Sequence, residues 1–237
     1  MKDINSKKKH VTDFFANLDF NSEQHSYNYR DRTLSSVSSI IKKFSEPFDA
    51  DKIAFFVARK RGISKEEVLQ EWEDKKNNAC NRGNQAHSFG ETYSKGDTAT
   101  NGFEQAIINF WDSIPDHVIP FLFELKMFSE LFGIAGTCDI LLYNTKTGKF
   151  IIVDYKTNED LFKNYKGKKM LEPFKDLIDS PYNKYQIQLS LYQLLFEQCG
   201  FKVESRRIVW LKPDGSFEMY KTKNLVSRVK KELKSRL

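Results

Sequence analysis

Cysteine is scarce, with only Cys80, Cys138 and Cys199 in 237 residues. An odd number at wide spacing argues against a disulfide framework and for buried thiols in a reducing compartment. Glycine (11) and proline (6) are also few. No Pro/Gly/Ser-rich linker, low-complexity tract or internal repeat divides the chain, so the reading is one domain over 1–237. No stretch approaches the roughly 18 apolar residues that a membrane-spanning helix needs, and no membrane association is expected. A Gly-x-x-x-x-Gly-Lys-[Ser/Thr] sequence is lacking too, which excludes a P-loop motor.

What the chain does have is enough apolar material for one sizeable core, 40% hydrophobic and 14% aromatic residues. Lys and Arg outnumber Asp and Glu 38 to 32, for a net charge of +6. That balance makes a polyanion a candidate partner without establishing one. The basic start MKDINSKKKHVTDFF has no apolar run behind it and carries Asp3 and Asp13, unlike an Arg-rich transit peptide. A cytoplasmic location is expected.

Residues 1–115 read as mainly helical. Cap candidates lie between Thr33 and Ser39, Ser64 to Glu67 form a capping-box pattern, and a helix from Gly102 to Ser113 is stopped by Pro115. Residues 116–220 read as a sheet core. FLFELKMFSELF, GIAGTCDILLY and KFIIVDYKT are three successive strands in β-meander style, and Tyr182 to Cys199 is a helix ending at Gly200. A last strand, Arg207 to Leu211, precedes a turn at Pro213-Asp214-Gly215 and a basic C-terminal helix over 221–237.

The turn Asn144-Thr145-Lys146-Thr147-Gly148 sets a register. Folding antiparallel about its midpoint puts Asp139 opposite Asp154 on one face, with Cβ atoms about 5 Å apart. Lys156, two residues on, shares that face. Two such carboxylates between runs as apolar as Ile-Leu-Leu and Phe-Ile-Ile-Val repel each other in a covered sheet. An oxygen-rich cluster of this kind suits Mg²⁺ or Mn²⁺, the layout of metal-assisted phosphoryl hydrolysis. Asp-x-Lys alone recurs by chance in most proteins; the register gives it weight. A tight turn around Gly133 and Ile134 would likewise set Glu130 against Asp139. The stretch with Lys163, Lys166, Lys168 and Lys169 interleaves with Phe162 and Tyr165, and basic side chains among aromatics suit single-stranded nucleic acid. Lys163, Tyr165, Lys168 and Lys169 are therefore candidate substrate contacts.

Read in order, Gly136 to Asp139, Asp154 to Thr157, and Gln188 with Tyr192 resemble the PD-(D/E)XK nuclease superfamily in its RecB-like branch. That branch has a Gly-x-x-Asp strand, a hydrophobic-Asp-x-Lys-Thr strand and a Gln-x-x-x-Tyr helix. Gly83, His87 and Glu91 match its Gly-x-x-x-His-x-x-x-Glu helix. Within the branch the likeness is nearest to mitochondrial genome maintenance exonucleases and related phage and bacterial exonucleases; it starts at Leu34 to Ile41, takes in Glu124 and Glu130, and spans roughly residues 25–220.

The resemblance implies an α/β fold with a restriction-endonuclease-like core, a central mixed β-sheet flanked by helices, and a helical N-terminal elaboration. It implies metal ligation by His87, Asp139, Asp154 and the backbone carbonyl of Tyr155, with Lys156 as the catalytic lysine. Gln188, Tyr192 and Glu130 are further catalytic candidates, and Glu91 a candidate substrate contact. Gln188 and Tyr192 stand four apart and share a helix face, although that face can also be the polar edge of an amphipathic helix. Relatives that hold an iron–sulfur cluster do so with four cysteines, so no cluster is expected here. The implied activity is Mg²⁺- or Mn²⁺-dependent hydrolysis of DNA, single-stranded and from a free end, in recombination, repair or processing in a bacterial or phage-infected cell, with a recombination or replication protein as a possible partner. The rival readings are a structure-specific or restriction-like endonuclease and a catalytically inactive DNA-binding recombination partner.

Overall fold

A computed structural model describes residues 2–21, 24 and 26–236. The order is α1 (Lys2–Phe14), β1 (Leu18–Asn21), β2 (Ser26–Tyr29), β3 (Arg32–Ser36), α2 (Val37–Lys42), α3 (Ala50–Arg61), α4 (Lys65–Thr92), α5 (Gly102–Asp112), β4 (Val118–Ser129), β5 (Ile134–Asn144), β6 (Lys149–Lys156), α6 (Pro181–Phe196), β7 (Val203–Leu211), β8 (Phe217–Lys221) and α7 (Val226–Lys234). Local chemistry sets the ends. Ser64 and Glu67 form a reciprocal capping box at the start of α4. Ser180 caps α6 with Pro181 in its first turn, where no backbone N–H is needed. No helix among the described residues is long and apolar enough to cross a membrane.

One mixed sheet of eight strands runs β1-β2-β3-β5-β6-β7-β8, with β4 paired to β5 off that path. β4, β5 and β6 are the antiparallel meander read from the sequence, and β7 lies parallel to β6 after the α6 crossover. The architecture is the expected mixed α/β core flanked by helices. Three features differ from the sequence reading. The N-terminal part is not only helical, because β1 to β3 pair antiparallel within it; strands of four or five residues carry too few alternations to register as a pattern. Thr33 lies in β3, and Ser36 is the cap of α2. β8 precedes the C-terminal helix, which begins at Val226 and not at 221.

The sheet separates two apolar layers. On one side β4, β5 and β6 give Met127, Leu141 and Ile152 to a cluster with α6, over which α2 and α7 pack. On the other, Ile140, Val153, Tyr155 and Val209 meet Ala86 of α4 and Ala106, Ile107 and Phe110 of α5. α6 has no polar stripe: Gln186, Ser190 and Gln193 are as buried as its leucines, so it is a central helix covered all round.

β5 is the pivot. Along one edge it pairs with β3 only at Ile134 and Ala135, and with β6 from Ile140 to Asn144. Residues 136–139 lie between those pairings, where the sheet parts. The inward-outward alternation changes phase at the same place. Ile134 and Cys138 face the α6 layer, whereas Ile140 and Leu142 face the α4/α5 layer. On β4, Glu124 takes a φ of 47° at the matching rung, a left-handed conformation that non-glycine residues in a strand rarely adopt.

α4 reaches the sheet because Gly90 has no side chain. A Cβ there would lie 2.5 Å from Cε2 of Tyr155, a ring that is 1% exposed and held by the edge of Phe110. Replacing a mid-helix glycine by alanine ordinarily gains about 0.5–1 kcal/mol, while overpacking a rigid core costs typically about 1–3 kcal/mol. The clash is expected to win: Gly90→Ala should melt below the parent protein, at about 2–4 °C per kcal/mol for a chain of this size. Calorimetry showing a higher melting temperature would contradict this packing.

Candidate active site

The β5–β6 turn is fixed by Asn144, whose Oδ1 accepts from the backbone N–H of Lys146 at 3.0 Å and Thr147 at 3.3 Å, and by Gly148 at φ 68°. From it the strands pair Asn144 with Lys149 and continue to Ile140 with Val153. The next rung of that register is Asp139 opposite Asp154, at the place where the sheet parts.

Asp154 is 1% exposed and its Oδ2 forms an ion pair with the Lys156 ammonium. The Lys156 Nζ also lies 4.6 Å from the centre of the Tyr185 ring, so carboxylate and π-face grip it together. Burial pulls its pKa down, but Asp154 and Asp139 together outweigh that and hold it above the ordinary lysine value. The lysine therefore stays protonated.

Burial, then repulsion from Asp154, pushes the Asp139 carboxyl well above the usual carboxylate range. The cause is the low-dielectric setting the apolar flanks supply. His87, on α4, stands between two oxygens: Nδ1 is 3.2 Å from Asp139 Oδ2, and Nε2 is 3.2 Å from the backbone carbonyl of Tyr155. Burial lowers its pKa, with Lys156 adding to the effect. A neutral imidazole has one N–H, so one ring nitrogen faces an oxygen lone pair with its own. Among the described residues no well-directed donor reaches the buried Asp139 Oδ2 or Asp154 Oδ1.

Glu124 completes the group. Ligand atoms of His87, Glu124 and Asp139 all lie within 4.8 Å of one another. Burial, with Glu91 and Asp154 nearby, pushes the Glu124 carboxyl up to about 7. The sequence reading set Glu130 against Asp139 instead, which the strand pairing corrects. β4 and β5 pair Ser129 with Ile134, so the turn is centred about three residues earlier than a Glu130–Asp139 pairing requires, and Glu124 falls on the Asp139 rung. Glu130 is an exposed turn residue 3.5 Å from Arg30.

A cleft opens over this group in two compartments, with His87 and Asn84 lining both. The larger, about 520 Å³, contains Phe20, Tyr27, Glu91, Glu124, Lys126, Asp139, Gln188 and Tyr192 in its walls. Gln188 Nε2 donates to the Tyr192 hydroxyl at 2.8 Å. Burial and the two aspartates hold that phenol well above its ordinary pKa, so it keeps its proton. Gly136 lets the Tyr192 ring approach, since a Cβ there would meet it at 2.8 Å. The smaller compartment, about 330 Å³, is walled by Arg82, Lys156, Thr157, Asn158 and Tyr185.

Of the residues singled out in the sequence, His87, Glu91, Asp139, Asp154, Lys156, Gln188, Tyr192 and the Tyr155 carbonyl are gathered at this cleft. Asp154 turns to Lys156 and stands outside the His87, Glu124 and Asp139 group. Lys163, Tyr165, Lys168 and Lys169 line neither compartment. Lys168 instead pairs with Glu46 at 3.0 Å, because the segment after β6 folds back over the α2 side. Tyr185 and Arg82 were not singled out. Tyr185 had a usable signal, three residues before Gln188 on the same helix. The cysteines lie apart: Cys80 is exposed on α4, Cys138 is buried in β5, and Cys199 is buried after α6.

Among curated proteins none matches this chain. Among solved structures, the crystal structure of SSO0001 shares 17% identity at a TM-score of 0.26, over 57% of this chain and 56% of that one, a likeness too slight to carry argument. The sequence profile of the PD-(D/E)XK nuclease superfamily matches residues 48–233, from the start of α3 to the C-terminal helix. With that match over most of its length, and with the acidic hairpin and its lysine at the parting of the sheet, the chain belongs to the PD-(D/E)XK nuclease superfamily.

Proposed function

We propose that the protein is a Mg²⁺- or Mn²⁺-dependent deoxyribonuclease that hydrolyses single-stranded DNA from a free end. The observation that carries this reading is the meeting of His87, Glu124 and Asp139 beside the buried Asp154–Lys156 pair. Glu124 and Asp139 crowd carboxyl groups against the Asp154–Lys156 pair, and a divalent cation would relieve their repulsion. The donor set fits such an ion, because it combines carboxylates, a neutral imidazole and a backbone carbonyl, and the buried oxygens of Asp139 and Asp154 are poorly satisfied among the described residues. His87, Asp139, Asp154 and the Tyr155 carbonyl would hold it, and Glu124 stands close enough to join them. When bound, a divalent ion polarises the phosphoryl oxygen and acidifies a water.

The chain's own groups do the rest. Lys156, kept protonated by its carboxylate partners, is no general base; its ammonium orients the attacking water and offsets the charge that develops on the phosphate. Tyr192 accepts from Gln188 and keeps its own proton to donate. Phe20, half-buried in the cleft wall, is an aromatic side chain of the kind that suits unpaired bases, which expose faces for stacking. The order and identity of the motifs, nearest to exonucleases of the RecB-like branch, support a free end and a place in recombination, repair or processing beside a recombination or replication protein.

Linear single-stranded DNA is expected to be degraded with Mg²⁺ or Mn²⁺ and preserved in chelator, while a circular strand of the same sequence is spared. Cleavage of the circle would overturn the free-end assignment, and no hydrolysis with any divalent ion would overturn the nuclease. Asp154→Ala and Lys156→Ala should each lower the rate at least about a hundredfold with an unchanged circular dichroism spectrum; full activity in either variant contradicts the assignment.

A carboxyl whose folded pKa is raised costs stability at any pH above its unfolded value, and Asn does not titrate. At pH 8 in chelator, Asp139→Asn should therefore melt above the parent, whereas only the parent should gain melting temperature on addition of Mg²⁺ or Mn²⁺. A lower melting point in chelator, or an undiminished gain from metal, would show that Asp139 carries no such strain.

A further inference from the structure

Arg82 is a cation without a use in the account above. It lies on α4, about one and a half turns before His87, and its Nε is buried and has no hydrogen-bond partner among the described residues. Its guanidinium lies 5.7 Å from the centre of the Phe103 ring, which supports one face of the fork. Among the described residues no carboxylate pairs with it. Glu159, whose carboxyl feels the charge of Arg82, is itself bound by Lys75 at 2.8 Å. A guanidinium held in a wall with no anion of its own is an unmet demand for one.

The surroundings are those of an anion site. The smaller compartment brings Arg82 together with Lys156, Thr157 and Asn158. Asn158 is anchored at both its oxygens: Oδ1 accepts from the Tyr185 hydroxyl at 2.9 Å and the backbone carbonyl from Trp210 Nε1 at 2.7 Å. Its amide N–H groups are therefore left to donate. Two cations and neutral donors, with no carboxylate among the lining residues, distinguish this compartment from the acidic one across His87.

We propose that this compartment is a second phosphate subsite, in which Arg82, aided by Thr157 and Asn158, holds the phosphodiester next to the one being cut. The inference rests on the nuclease reading and adds to it where the strand lies. His87 lines both compartments, so a strand whose scissile phosphate lies at the His87, Glu124 and Asp139 group passes its neighbouring phosphate to Arg82. A planar fork gripping two phosphate oxygens fixes register as well as charge, and it does so without touching a base, so the subsite is blind to sequence.

The test is equilibrium binding, which needs no turnover. In an Asp154→Asn background, a fluorescent oligothymidylate is titrated at several salt concentrations. Arg82→Gln should weaken binding about tenfold or more, the worth of one charge-assisted contact, and reduce the slope of log affinity against log salt by about 0.7. Arg82→Lys should keep most of the slope. A neutral methylphosphonate walked along the strand should cost Arg82-containing protein affinity at one linkage beside the scissile position, and cost Arg82→Gln nothing there. Unchanged affinity and slope in Arg82→Gln, or a methylphosphonate profile the same with and without Arg82, overturns the subsite. Should Arg82→Gln not fold, the methylphosphonate profile of the Arg82-containing protein decides alone, a profile without a sensitive linkage overturning it. Absence of hydrolysis in the parent protein would instead remove the nuclease reading and leave these binding results standing by themselves.

Discussion

Buried negative charge that the protein does not itself neutralise is the constraint on which the rest of this structure depends. Asp139, Asp154 and Glu124 converge from three strands on one cleft, and the ammonium of Lys156 is committed to Asp154. Burial and mutual repulsion raise the Asp139 and Glu124 carboxyls. The same repulsion makes the group receptive to a divalent ion, since a cation relieves several unfavourable contacts at once. The site is a place where stability is given up for chemistry.

The fold is arranged to permit that concession. Around the cleft the apolar layers are tightly packed: Tyr155 is sealed between α4 and α5, and Tyr192 rests on Gly136. The backbone is irregular where the acids meet. β5 leaves β3 and joins β6 across residues 136–139, and Glu124 takes its left-handed conformation on the opposing strand. Strain of this kind persists only where surrounding packing over-determines it, and the two clusters flanking the sheet supply that packing.

Much of this was legible in the sequence because a hairpin is a local object. A short turn with Asn144 and Gly148 fixes its own register, so the Asp139 and Asp154 rung could be counted from the turn midpoint. The helical motif residues were legible for a similar reason, since four-residue spacing puts Gln188 with Tyr192 on one face. The failures have physical causes too. Phe128 to Gly133 carries several turn centres, and a shift of about three residues in the centre replaced Glu124 with Glu130. Glu124 also sits in a phase break that strict two-residue alternation does not anticipate. The Lys163 to Lys169 stretch had the composition of a nucleic-acid surface, but composition does not say which way an irregular segment folds, and it lies away from the cleft. Arg82 was invisible because its meaning comes from lacking a partner, a property that only three-dimensional packing reveals.

The most direct measurement is anomalous diffraction from crystals grown with Mn²⁺. The account requires one ordered ion in contact with His87 and Asp139, beside the Tyr155 carbonyl, with Lys156 remaining at Asp154. Manganese found only elsewhere, with His87 and Asp139 turned away from each other, would contradict it.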